Sequence, residues 1–71
     1  MSITEVLRHQ QWLRWNGFEW NPIADVWVRQ ADRLVTCLRD GRWYAYAVGR
    51  DSEARDSDTP QGAVFGWGVV R

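Results

Sequence analysis

Asp40-Gly41 constrains this chain more than any other pair of residues. It stands between two runs of apolar, β-branched and aromatic side chains, 33–39 and 42–48. A type I′ turn needs φ > 0 at both central residues, which Asp and Gly tolerate best, so the pair predicts a two-residue hairpin loop. That loop sets a register in which Arg39 opposes Arg42, Leu38 opposes Trp43, Cys37 opposes Tyr44, Thr36 opposes Ala45 and Val35 opposes Tyr46. Alternation then puts Val35, Cys37, Tyr44, Tyr46 and Val48 on one face. Leu34, Thr36, Leu38, Trp43, Ala45 and Ala47 fall on the other. Both faces are largely apolar. A lone hairpin is marginal in water, so the rest of the chain is expected to cover at least one face.

Residues 3–15 carry a helical pattern. Ser2 with Glu5 fits a capping box, and Gly17 stands where a C′ residue would. Ile3, Val6, Leu7, Gln10 and Leu13 share one stripe. Trp12 and Trp15 fall on another side, beside Arg8, which is four residues from Trp12 and in reach of a cation–π contact. A helix apolar on two sides is expected to be sandwiched, with display of its Trp rings to a partner as the alternative. Phe18-Glu19-Trp20 alternates as a short strand that Asn21-Pro22 ends.

Residues 22–40 admit two readings. As a helix over 22–31 or 22–40, Asn21 would be the N-cap and Pro22 the first helical residue. As strands over 26–30 and 33–39, Val26, Val28, Val35 and Thr36 fit their β-branched character, and the Asp-Gly hairpin keeps its extended arm. The strand reading is preferred. It puts Trp27 opposite Thr36, with Ala45 one strand further, and adds Val26 and Val28 to the face of Val35 and Cys37. Residues 49–62 read as a flexible acidic loop. In 63–70, Ala63, Phe65, Trp67 and Val69 alternate with Val64, Gly66, Gly68 and Val70, the pattern of a final strand. The expected architecture is α+β in one domain over 1–71: an N-terminal helix on an antiparallel meander of four to five strands.

At 71 residues such a chain buries only about 60% of its unfolded surface. Six Trp offset part of that shortfall, since each large aromatic buries roughly 150–250 Å². The single Cys excludes an internal disulfide and reads as a small buried hydrophobe. Nine Arg and no Lys balance nine acids at zero net charge, which argues against duplex-DNA binding, where clustered positive charge is needed. Residues 1–15 lack the apolar core of a secretory signal, and no run approaches the roughly 20 apolar residues of a membrane span. A soluble, cytoplasmic protein is expected.

Side-chain catalysis is not expected. His9, on the polar side of the first helix, is the only His, and Cys37 in an apolar strand makes a poor nucleophile for it. Asp51, Glu53, Asp56 and Asp58 miss the EF-hand order and lack its glycine, so a solvated loop is their plain reading. No metal or cofactor is expected. Two features point toward a partner. Arg8, Trp12, Trp15, Trp27, Arg29 and Trp43 are of the types enriched at interface hot spots. The four acids of 51–58 offer a negative patch for a basic surface.

A Ser-x-x-Glu helix start, a short meander around Arg39-Asp40-Gly41-Arg42-Trp43, and a small chain without a catalytic set together resemble the small proteins of phages and mobile elements. Anti-CRISPR proteins are one such group. The resemblance implies stoichiometric blocking of a bacterial defence nucleoprotein complex, and it assigns no site residue. The leading expectation is a non-enzymatic protein-binding module. One alternative is a single-stranded nucleic-acid binder, with Trp27 and Trp43 stacking bases and Arg29, Arg33, Arg39 and Arg42 on phosphates. Another is a homo-oligomeric structural protein. The reading leaves one question: what covers the face holding Trp27, Leu34, Trp43, Ala45 and Ala47.

Overall fold

The computed structural model describes residues 3–70; Ser2 of the capping box and the side chains of residues 69 and 70 lie outside that description. The chain runs α1 (Ile3–Trp15), β1 (Phe18–Asn21), β2 (Val26–Arg29), β3 (Leu34–Arg39), β4 (Arg42–Ala47), a 3-10 turn (Asp51–Glu53), β5 (Arg55–Ser57) and α2 (Pro60–Val70). The class is α+β. The five strands form one antiparallel meander in the order β1-β2-β3-β4-β5. Among the described residues no helix is long and apolar enough to cross a membrane.

The hairpin is built as its turn dictates. φ is 52° at Asp40 and 78° at Gly41. The pairing runs from Arg39 opposite Arg42 to Leu34 opposite Ala47. Trp27 faces Thr36, and Thr36 faces Ala45, so the predicted row across three strands is present.

Residues 22–40 are strands and loops, not a helix over 22–31 or 22–40. Asn21 does cap backbone: its Oδ1 accepts the Ile23 and Ala24 N–H groups at 3.0 and 3.1 Å. The turn closes after one cycle, however, with the Asp25 N–H donating to the Asn21 carbonyl at 2.8 Å and Asp25 at φ 60°. A left-handed residue ends helical propagation, and the valine-rich run that follows pairs with β1. The same chemistry that begins a helix here closes a hairpin.

Two expectations for the C-terminal third are corrected. Residues 63–70 are helix, not strand, and 49–62 is not a featureless loop. Thr59 caps α2: its Oγ1 accepts the Gly62 N–H at 3.1 Å, and Pro60 occupies the first helical position, the favoured pairing of an N-cap hydroxyl with Pro at N1. Pro60, Ala63, Val64 and Trp67 are then buried at helical spacing. Three glycines in the helix each cost about 1 kcal/mol relative to Ala. Burial of these apolar side chains offsets that cost. The fifth strand is β5, at 55–57.

Both helices pack on one face of the sheet. Leu13 of α1, Phe18, Trp27, Leu34, Trp43 and Ala45 of the sheet, and Ala63, Val64 and Trp67 of α2 form the main core. The face of Trp27 and Trp43 is therefore the one the chain itself covers. The opposite face carries a second, smaller cluster of Val26, Val35 and Cys37 under Val28, Tyr44 and Tyr46. No described helix lies over it.

The first helix is also turned from its expected orientation. Leu13 is its one fully buried residue, while Ile3 and Leu7 of the predicted stripe stay exposed. His9, expected on the polar side, meets Trp43 edge-on with ring centroids 5.6 Å apart. Trp12 meets Phe65 of α2 in the same way at 6.2 Å. The unforeseen second helix supplies an aromatic partner, and α1 rotates to reach it.

Candidate partner-binding surface

The ten sequence candidates do not assemble into one site. Trp27 and Trp43 lie in the core at 5% and 4% exposure. The Arg14 guanidinium lies 5.5 Å from the Trp27 ring and Trp20 packs 5.4 Å away. Arg29 is half-buried and its donors are engaged: two go to Asp32 at 3.1 and 2.9 Å, and a third reaches the Asn16 carbonyl at 3.3 Å. Its guanidinium also sits 4.9 Å over Phe18. These three residues hold the sheet and its helices together.

The acidic patch is partly neutralised within the molecule, by two guanidinium groups against four carboxylates. Arg42 of β4 donates to Asp56 at 3.0 Å and pairs with Asp58 as well. That one guanidinium fastens β5 to β4. Arg50 grips Glu53 through two bonds of 2.7 and 2.8 Å while its charge lies 5.2 Å over Trp67. The hydrogen bonds from Arg50 hold the Glu53 carboxyl below its usual range. Asp51 has no ion-pair partner among the described residues. These acids are spread over a 3-10 turn, a strand and the bend that follows it, and among the described residues no group of three or more His, Cys, Asp or Glu is placed to hold a metal.

Three cation–π pairs, Arg14–Trp27, Arg29–Phe18 and Arg50–Trp67, occur among the described residues. Roughly one per 70–80 residues is usual. Arginine therefore serves this small fold as a cover for its rings, each stem and planar head shielding an aromatic face from water.

The largest group of exposed apolar side chains on one element lies on α1. Ile3, Leu7 and Trp15 are 80%, 59% and 76% exposed. They stand at i, i+4 and i+12 along the outer side, an i+4 row broken by Gln11. The row drifts by about 40° at each step, so that Trp15 lies about 120° around the helix from Ile3. Arg8 is exposed next to Leu7. Trp12 is half-buried beside Trp15, against Phe65, itself exposed on α2. Of the sequence candidates, Arg8, Trp12 and Trp15 are thus brought together. Ile3 and Leu7 were missed as surface residues because they had been assigned to the core stripe. Phe65 was missed because 63–70 alternates like a strand.

The open sheet face is the second exposed feature. A shallow groove of about 420 Å³ runs beside Val26, Val28, Val35, Tyr46 and Val48 to Asp51. Burial raises the Cys37 thiol pKa and the Tyr46 hydroxyl pKa, so both stay neutral. No protein-family model, curated protein or solved structure matches the chain.

Proposed function

We propose that this chain is a non-enzymatic protein-binding module that works through the outer side of α1. Ile3, Leu7 and Trp15 form the apolar contact, with Arg8 at its flank and Trp12 and Phe65 extending it. The observation that carries this reading is the division of α1: one residue, Leu13, is fully buried, while three large apolar side chains stand in a row in water. Such a row costs solubility, and exposed apolar patches on small domains mark contact surfaces. An amphipathic helix of this kind docks in an apolar groove or against a second helix.

The likeness to anti-CRISPR proteins makes a bacterial defence nucleoprotein complex the partner to test first. The predicted action is stoichiometric: loss of the complex's activity is complete at one chain per complex. The double variant Leu7→Arg and Trp15→Ala should lose both capture of the complex and its inhibition while its circular dichroism and urea midpoint stay near those of the parent. Equal capture by parent and variant would overturn the reading. Sedimentation of the free protein reports separately whether the same row pairs two copies.

A further inference from the structure

We propose that the outer edge of β1 accepts an extended peptide as an added strand. The peptide's basic residues would lie on the side of Glu19, and its apolar or acidic residues on the side of Trp20 and Arg14. β1 ends the sheet, and no described strand pairs with its outer edge. Edge strands are commonly blunted with Lys, Pro or a bulge. β1 is short and carries one acid, Glu19, but has no Lys, Pro or bulge: its residues are Phe-Glu-Trp-Asn, and its register against β2 is unbroken from Phe18 opposite Arg29 to Asn21 opposite Val26.

The space around this edge suits a strand. Trp20 borders three grooves. On the helix side one of about 160 Å³ is lined with Gln10, Arg14 and Trp27, and another of about 210 Å³ runs on toward Val6, Leu38 and Trp43. A third of about 200 Å³ lies among Glu19, Asn21, Pro22, Val28 and Gln30. Glu19 and Asn21 share the face of Val28 and Val26, opposite to Phe18 and Trp20. Successive side chains of an added strand point to opposite faces. Alternate residues would therefore stand beside Glu19 and Asn21 on one side and beside Phe18 and Trp20 on the other while the main chain pairs with β1. Long side chains would reach back over β1 toward these grooves. Main-chain pairing and side-chain contact are the two components of recognition by strand addition.

Charge selects the occupant. Arg14 on the helix side and Glu19 on the other have no ion-pair partner among the described residues. They ask for acid or apolar character on one side of the peptide and base on the other. A second copy pairing about Glu19 would instead oppose two carboxylates, an unfavourable cross-strand pair. This edge is separate from Ile3, Leu7 and Trp15, so the two surfaces stand or fall independently.

The probe is a capped heptapeptide, Arg-Leu-Arg-Glu-Arg-Leu-Arg, titrated into the full chain and followed by amide NMR. The expected result is shifts concentrated at Phe18–Asn21. The same peptide with Glu in place of each Arg should bind about tenfold more weakly, since cross-strand charge pairs set the preference, and Glu19→Arg should invert that order. Two N-methylated versions, one modified at odd and one at even residues, test main-chain pairing: one keeps binding and the other loses it. Absence of shifts at β1, equal binding of the two methylated peptides, or indifference to Glu19→Arg would overturn the proposal. So would a free protein that sediments as a dimer with its β1 amides already protected from exchange, which would assign the edge to a second copy.

Discussion

Gly62 of α2 stands so close to Ser57 of β5 that a methyl group on its Cα would overlap the Ser57 hydroxyl. The contact sets how near the second helix comes to the sheet. Gly68, in the same helix, has open space around it. The two glycines should therefore respond to alanine with opposite sign. Gly68→Ala should stabilise by roughly 0.5–1 kcal/mol, the usual gain in helix propensity. Gly62→Ala should destabilise by about 1–2 kcal/mol, because overlap outweighs propensity, and Ser57→Gly should relieve it. Urea denaturation of the two single variants and the double variant decides the matter. Like signs at the two glycines would show that helix and strand do not meet as described.

Asp32 supplies the clearest acid response. Hydrogen bonds from Arg29 lower its pKa below the ordinary value of 3.8. A depressed folded pKa contributes stability above the unfolded value, lost as pH falls through the folded one. The stability difference between the parent and Asp32→Asn should thus be constant near neutral pH and shrink below pH 3.8. Both partners are partly exposed, so the difference should stay within about 1 kcal/mol. Carboxyl titration by NMR should show the Asp32 pKa rising in Arg29→Gln.

Cys37 tests the cover on the open sheet face. Burial under Tyr44 and Tyr46 raises its pKa above 9.0. Its reaction with a disulfide reagent at pH 8 should run at least about tenfold slower in the folded protein than in urea, since only the thiolate reacts. Equal rates would mean that the two tyrosines leave the sheet open.

Trp27 and Trp43 bear on the nucleic-acid alternative. Both are buried, and neither ring is free to stack on a base. Titration with single-stranded oligonucleotides at low salt should leave Trp fluorescence unchanged in a variant whose exposed rings are removed by Trp15→Phe and Trp20→Phe. Salt-dependent quenching that survives those substitutions would restore base stacking by the core rings and require the core to open.

His9 and Trp43 give a direct check on the orientation of α1. An edge-to-face pair contributes about 0.5–1.5 kcal/mol beyond its buried area. His9→Ala should destabilise by at least that much, whereas Leu7→Ala, exposed on the other side, should change stability by less than about 0.5 kcal/mol. Reversed effects would return α1 to the orientation its apolar stripe suggested.

Turn chemistry is local, and what it controls was legible in the residues. Asp40-Gly41 can hardly be anything but a tight hairpin, and a two-residue loop leaves one register, so the Thr36–Ala45 pair and the partition of the hairpin's faces followed, while the β-branched run of β2 brought Trp27 opposite Thr36. Thr59-Pro60 was an equally local signal for α2, masked by the alternation of Ala63, Phe65 and Trp67 and by three glycines that speak against a helix. Other features had no local cause. Both faces of the hairpin are apolar, and α2 lies on the side of Trp43 because Ala63, Val64 and Trp67 are buried there with Trp27, Leu34 and Trp43. α1 turns because Trp43 and Phe65 are there to receive His9 and Trp12. The acids of 51–58 look solvated until Arg42, remote in sequence, binds Asp56 and Asp58 and fastens their segment to β4. The sequence by itself determined β1 to β4 and the register across β2, β3 and β4, since turn chemistry and alternation depend on neighbouring residues. Only the tertiary structure decided which face is covered and which helix residues remain for a partner, because those depend on side chains far apart in the chain.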